Sequence, residues 1–233
     1  MIKLFEENSY KKEFNSKIVN IDKKNNLIEL ENTAFYGKSG GQPGDTGWLF
    51  TKIKDLEVVE TIKQEGALLH QVNSIDDLKI GEAVNGKINW ENRYKYMKMH
   101  TALHLLCAAV PMGVTGGQIG ILKSRLDFNA DAESIKKDEL QEALNKILKT
   151  NSEVSYEWID NIELEKKPEL VRTMTVKPPK TNNKIRLVRI GNIDLQPCGG
   201  THVKNTSEIG TIIIGKIENK GKMNRRINIS LSD

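Results

Sequence analysis

Residues 91–110 read ENRYKYMKMHTALHLLCAAV. This stretch decides the fold, because the pattern of the chain changes there. It holds no Gly or Pro before Pro111 and is rich in Met, Leu and Ala, which are good helix formers. Its apolar residues recur at helical spacing, so a helix is predicted over 92–109, ended by Pro111 and Gly113. Everything before it reads differently. KIVNIDKK, NLIELEN, GWLFTKI, LEVVETI, ALLHQV and AVNGKINW are short, partly alternating runs separated by Asn, Gly, Asp and Lys turns. Six short strands at this spacing predict a small β-barrel domain over 1–90. GKSGGQPGDTG, at 37–47, interrupts them, and its five glycines and one proline make it a loop.

Beyond the helix, VTGGQIGILKSRLDFNA predicts a glycine turn followed by a strand pair. SIKKDELQEALNKILKTN predicts a second, amphipathic helix. Its apolar stripe is Leu140, Ala143, Leu144, Ile147 and Leu148, and Asp138 and Glu139 lie near its electropositive end. Strands are expected at 154–160 and in IRLVRIGNIDLQ, the latter interrupted by Gly191, with GTIIIGKIEN and RRINISL as a closing hairpin. Residues 91–233 should therefore form an α+β domain with helices packed on a largely antiparallel sheet, and the chain as a whole is of the α+β class.

Composition bounds the function classes. At 233 residues the chain can hold one large domain or two modest ones, and 38% hydrophobic with 28% charged residues is ordinary for a globular protein. No run of about 18 apolar residues occurs, so no membrane span is expected. The N-terminus, MIKLFEENSYKKEF, lacks the apolar core of a secretory signal, which points to the cytoplasm. Two cysteines, Cys107 and Cys198, do not make a disulfide scaffold. The net charge of +4 is mild. Its distribution says more. Arg93, Lys95 and Lys98 form one basic cluster, and Lys216, Lys220, Lys222, Arg225 and Arg226 form another. Each fits a polyanionic partner or a solvated face.

The chemistry lies in two pairs. His100 and His104 stand four apart, which on a helix puts both imidazoles on one face, one turn apart. Thr101 follows His100, so the Glu of the metalloprotease HExxH motif is missing. Cys198 and His202 are also four apart, in PCGGTH, where Pro197, Gly199 and Gly200 argue for a tight turn. Such a turn can fold a thiolate and an imidazole onto one ion. Together the pairs make a Cys-His₃ set suited to one Zn²⁺ per chain. They use three of the four histidines and one of the two cysteines. Cys107 reads as core, and His70, in ALLHQV, as a strand residue without chemistry.

HTALHLL and PCGGTH, with SGGQPGDTG at 39–47, TGGQIG at 115–120, RLDF at 125–128 and SEIG at 207–210, resemble the editing domain of alanyl-tRNA synthetase and the free-standing AlaX proteins. The threonyl-tRNA synthetase editing domain shares the two metal pairs but not the Gly-rich loop. The AlaX resemblance implies a zinc-dependent hydrolase that clears Ser-tRNA(Ala), and Gly-tRNA(Ala) as a further substrate, in trans. It implies the medium-length AlaX class, because the barrel and Gly-rich loop precede the site and the chain stops soon after RRINISL. His100, His104, Cys198 and His202 match the family's metal positions and are the expected catalytic centre. Thr115, Gly116, Gly117 and Gln118 match the region lining the amino-acid pocket, and Gly40, Gly41 and Gln42 lie in the family's Gly-rich loop. Thr115 and Gln118 are candidates to bond a serine hydroxyl, which would let the site reject alanine. The partner is then tRNA(Ala) carrying the wrong amino acid. Lys216, Lys220, Lys222, Arg225 and Arg226 are candidate acceptor-stem contacts, and the protein is expected as a monomer or homodimer. A metal ion could hold the α-amino group or activate a water near the ester carbonyl. Four protein ligands, however, also suit a closed structural site.

Four other readings compete. A phosphate-binding P-loop fails, because Asn32 stands where its first Gly is required. The GGQ tripeptide of peptide release factors occurs at both Gly40–Gln42 and Gly116–Gln118, and leaves the metal ligands without a role. Editing of another mischarged tRNA of the threonyl type, and a non-catalytic tRNA-binding module with a structural zinc, remain as alternatives.

Overall fold

The computed structural model describes residues 1–131, 133–174 and 184–232. The chain divides into two compact units, Met1–Lys95 and Tyr96–Asp233.

The first unit begins with strand β1 (Ile2–Lys3) and a one-turn helix, α1 (Leu4–Glu7). Strands β2 (Glu13–Asp22), β3 (Leu27–Leu30), β4 (Asn32–Thr33), β5 (Gly47–Phe50), β6 (Asp55–Gln64), β7 (Ala67–Val72) and β8 (Ala83–Ile88) follow. The six runs expected as strands close into a barrel in the order β2-β3-β7-β6-β5-β8. Alternation explains the closure. Phe14, Ile18, Leu49, Leu56, Val58, Val84 and Ile88 point into one core, while their sequence neighbours face out. The Gly-rich segment is a loop, as expected, but a tightly held one. Ser39 and Gln42 exchange backbone hydrogen bonds at 3.2 and 2.9 Å around Gly40 and Gly41, whose φ values are 56° and 82°. That is the two-residue I′ pattern, which glycine adopts without strain.

Helix α2 (Trp90–Ala109) starts two residues earlier than the sequence predicted. The Asn89 side chain accepts the Asn92 N–H at 3.1 Å, so Asn89 is the cap. From Met99 to Cys107 every residue is buried, which a mixed apolar and polar helix can sustain only if its polar groups are bonded. Arg93 corrects one expectation. It was grouped with Lys95 and Lys98 as a basic cluster, but it is fully buried and bonded to Asp45, Ser9 O and Ala34 O within the first unit. Arg93 thus belongs with the first unit, which runs to Lys95.

The second unit continues with β9 (Val114–Gln118), β10 (Ser124–Phe128), α3 (Lys137–Leu148), β11 (Val154–Ile159) and α4 (Asn161–Glu165). Then come β12 (Ile185–Ile190), β13 (Asp194–Pro197), β14 (Thr211–Gly221) and β15 (Asn224–Ser232). Among the described residues they form two antiparallel sheets, β14-β15-β10-β9 and β11-β12-β13. Helix α3 buries Leu140 and Leu144, with Ala143, Ile147 and Leu148 half-buried beside them. Its Gln141 side chain bonds Ile212 O and the Ile214 N–H, tying the helix to β14. The expected glycine turn at 115–118 is instead part of strand β9. Gly116 and Gly117 pair with Asp127 and Leu126, and the turn follows at 119–123. Glycine belongs in the strand because a Cβ at Gly117 would stand 2.9 Å from Leu126 Cδ2. No helix among the described residues is long and apolar enough to cross a membrane.

Candidate metal centre

The buried half of α2 carries His100 and His104, and the turn after β13 carries Cys198 and His202. The fold brings them together: the four donor atoms lie within 4.8 Å of one another. Cys198 Sγ is 3.4 Å from both His100 Nε2 and His202 Nε2. A sulfur and a nitrogen bound tetrahedrally to one zinc at about 2.3 and 2.0 Å would stand roughly 3.5 Å apart. The donor set and its spacing therefore fit one such ion. Three imidazoles and one thiol are also the donors that borderline-soft Zn²⁺ prefers.

Neighbouring residues hold the turn in place. Arg186, on β12, donates from Nε to Cys198 O at 3.0 Å and from Nη2 to Gly200 O, while the Cys198 N–H returns to Arg186 O at 3.1 Å. The Arg186 guanidinium lies 4.4 Å over the Tyr156 ring, which fixes its plane. The Gly200 N–H points to Cys198 Sγ at 3.4 Å, as suits a thiolate.

The imidazoles are held from behind. His104 Nδ1 donates to Asp194 Oδ2 at 3.0 Å, and the Gln196 amide donates to the same oxygen at 2.7 Å. His202 Nδ1 faces Thr101 Oγ1 at 3.2 Å. Asp194 is also 3.4 Å from Arg172 Nε, an ion pair that helps keep the buried carboxylate charged.

Electrostatics follow from this crowding. Burial pushes the Cys198 thiol up, but the His100 ring and hydrogen bonds from the three imidazoles overcome it and hold it well below its ordinary value. Burial, with charge on His100, holds His202 well below the usual imidazole range. Burial also opposes protonation of His104, yet bonds to Asp194 and Cys198 outweigh it and raise the group to about 9. Burial likewise works against the Asp194 carboxylate, and the His104 bond more than compensates, leaving it below its usual value. A thiolate beside an imidazolium is one way to balance this cluster. A divalent cation that displaces the proton is another.

The sequence singled out the four residues that the fold gathers and missed their supports. Asp194 and Gln196 alternate along β13 with Cys198 in step just beyond its end, and the first two are buried polar residues, a period-two signal that was readable. Thr101 was noted only as the absent glutamate, yet it is fully buried against His202.

The other predicted residues lie elsewhere. Thr115 to Gln118 occupy the edge strand β9 of the second unit. The Thr115 hydroxyl donates to Asp127 O at 3.1 Å, and Gln118 is exposed. Gly40 and Gly41 are exposed at the loop tip of the first unit, whereas Gln42 is buried. In the C-terminal hairpin Arg226 grips Asp127 at 2.8 and 2.9 Å, Lys220 pairs with Glu218 at 2.9 Å, and Arg225 donates to Asp131 O at 3.0 Å. Lys216 and Lys222 are exposed.

Comparison with known proteins places the chain among tRNA-editing relatives. The family described as threonyl and alanyl tRNA synthetase second additional domain matches residues 185–228, which carry Cys198 and His202. The family described as tRNA synthetases class II (A) matches residues 3–92. The chain is 38% identical over 218 residues to the alanyl-tRNA editing protein AlaX-M of Methanosarcina acetivorans, covering 88% of this chain and 89% of that one. It is 36% identical over 230 residues to the AlaX-M of Saccharolobus solfataricus, covering 96% of each. To the alanine–tRNA ligase of Methanococcus vannielii it is 35% identical over 92% of this chain but only 24% of the ligase. On likeness that spans nearly the whole length of both chains, this protein belongs to the AlaX family of alanyl-tRNA editing proteins, in its AlaX-M branch.

Proposed function

We propose that this chain is a cytoplasmic trans-editing deacylase that hydrolyses the ester of Ser-tRNA(Ala), and of Gly-tRNA(Ala), using one zinc ion per chain. The observation that carries the reading is the convergence of His100, His104, Cys198 and His202 in a chain that matches AlaX-M relatives end to end. A Zn²⁺ held by those residues supplies a Lewis acid for an ester carbonyl or an anchor for the α-amino group. The protein's own task is to position. Thr115 spends its hydroxyl hydrogen on Asp127 O, so it offers a serine hydroxyl only a lone pair. The exposed Gln118 amide offers both a donor and an acceptor. The rigid tip at Gly40, Gly41 and Gln42 is assigned to the acceptor end, and the C-terminal basic hairpin to its phosphates.

The test is deacylation of Ser-tRNA(Ala), Gly-tRNA(Ala), Ala-tRNA(Ala) and Ser-tRNA(Thr) by zinc-loaded protein. Loss of the serine ester with Ala-tRNA(Ala) left intact is the expected result. Preference for Ser-tRNA(Thr) would move the reading to a threonyl-type editor. Tight tRNA binding with no hydrolysis of any substrate would leave a binding module whose four-ligand zinc is structural.

A further inference from the structure

We propose that Thr101 and Asp194 are positioning residues that set the tautomers of His202 and His104, so that both rings present Nε2 to the cation. The inference rests on the metal reading of the cluster but not on any reaction. It follows from counting hydrogens. A threonine hydroxyl has one hydrogen and two lone pairs, and a backbone carbonyl can only accept. Thr101 Oγ1 lies 2.9 Å from Met97 O, so its hydrogen is committed there. The Val203 N–H approaches the same oxygen at 3.3 Å and takes one lone pair. What remains for His202 Nδ1, at 3.2 Å, is the other lone pair. Two lone pairs repel, so Nδ1 carries the hydrogen. The free electron pair of His202 is then on Nε2, the atom 3.4 Å from Cys198 Sγ.

Asp194 enforces the same choice on His104. Its Oδ2 lies 3.0 Å from Nδ1 and accepts the Gln196 amide at 2.7 Å. Gln196 Nε2 also stands 3.0 Å from Nδ1, but a ring nitrogen that accepted that amide would turn its lone pair on the carboxylate, whereas Nδ1 and the amide can both donate to Oδ2. An ionised carboxylate has no hydrogen to give, so Nδ1 must donate and Nε2 is the ligand atom. The opposite tautomer of either ring would aim an N–H at the ion and leave a buried acceptor facing another acceptor. Thr101 serves a second purpose. Through the Val203 N–H it links α2, which carries one ligand pair, to the turn that carries the other.

The test uses full-length protein and reads zinc affinity by competition with a chromophoric chelator. Loss of such supporting partners typically weakens metal binding about 10–100-fold, and that is expected for Thr101→Val, which keeps shape but loses the hydroxyl. Thr101→Ser, which keeps the hydroxyl, should bind within about threefold of the parent, well short of that typical loss. Asp194→Leu and Asp194→Asn form the parallel pair, with Asn retaining an acceptor oxygen and recovering part of the affinity. The Co²⁺-substituted protein adds a signature, since a displaced imidazole changes the d–d band intensities while the thiolate charge-transfer band persists. Parent-like zinc affinity in Thr101→Val or Asp194→Leu would overturn the proposal, as would equal losses in Thr101→Val and Thr101→Ser. If Thr101→Val does not fold, the Asp194 pair decides by the same criterion. A parent protein that binds less than half an equivalent of zinc would overturn the metal reading itself. Failure to deacylate touches only the proposed reaction.

Discussion

Each unit buries a polar centre, and the two centres are built on opposite logic. In the barrel unit Arg93 meets one carboxylate and two carbonyls, Asp45, Ser9 O and Ala34 O, and every guanidinium nitrogen has an acceptor. His70 is likewise closed, with Nε2 against Thr33 Oγ1 at 2.9 Å and Nδ1 against Ile28 O at 3.2 Å. In the second unit the outer atoms of His104 and His202 are satisfied, while the inner atoms of three imidazoles and a thiol converge on one another. Lone pairs pointed at lone pairs are stable only around a positive charge. Burial and polarity are thus shared by both centres. What distinguishes a binding site from a structural knot is where the unspent acceptors point.

The largest effect should come from removing one of those inner acceptors. Structural zinc sites bind with about 10–16 kcal/mol, so one of four ligands carries roughly 3–4 kcal/mol, or on the order of 1,000-fold in affinity. Cys198→Ala should lose zinc to that extent, seen by metal analysis after dialysis against chelator, and deacylation should fall to background. Zinc retained at full stoichiometry in that variant would show that the cluster is not organised around the thiolate.

The barrel knot should respond in stability instead. Asp45→Ala leaves the fully buried Arg93 guanidinium without its counter-charge, and breaking a buried pair from one side costs about 3–5 kcal/mol. Urea unfolding measures it. The zinc content per folded chain should stay that of the parent. A cost under 1 kcal/mol would mean that the two carbonyls alone satisfy the arginine.

His70 sharpens the contrast through pH. Burial lowers it from 6.5 to about 4, the Ile28 carbonyl opposing. The folded state therefore keeps the ring neutral in a window where the unfolded chain binds a proton. The stability contribution is complete above pH 6.5 and is lost as pH falls toward 4, at most about 3 kcal/mol. His70→Gln should flatten that part of the profile of unfolding free energy against pH. An unchanged slope in the variant would assign the dependence to other groups.

These contrasts explain what was legible. The barrel strands were readable because alternation is local, and α2 because it lacks breakers. The ligands were readable because donor types repeated at a spacing of four. The turn at 115–118 was misplaced because glycine usually marks a turn, and only the pairing with β10 across the ladder makes these strand residues. Arg93 was misread for the same reason. A basic residue near Lys95 and Lys98 looks like surface until Asp45, far away in sequence, is brought beneath it. Thr101 carried no signal, since its value lies in a hydrogen already spent on Met97 O.

The C-terminal hairpin repeats that lesson at lower stakes and yields the smallest effect. Five basic residues crowd it, but Arg226 and Lys220 already face carboxylates, and Arg225 donates to a carbonyl. Glu218, held by Lys220 and Asn228 at about 2, stays charged at any working pH and keeps Lys220 occupied. A phosphate competing for these side chains must first displace an internal partner, and exposed Lys216 lies in the field of Glu218, whereas exposed Lys222 has water to release. Lys222→Ala should therefore weaken tRNA binding and lower the slope of log affinity against log salt by about one. Arg226→Met should change that slope less while costing stability, because the Asp127 carboxylate keeps only its pairing with Arg125. Fluorescence anisotropy over a salt series separates the two variants. Equal slopes for Lys222→Ala and the parent would remove this hairpin from the RNA-contacting surface.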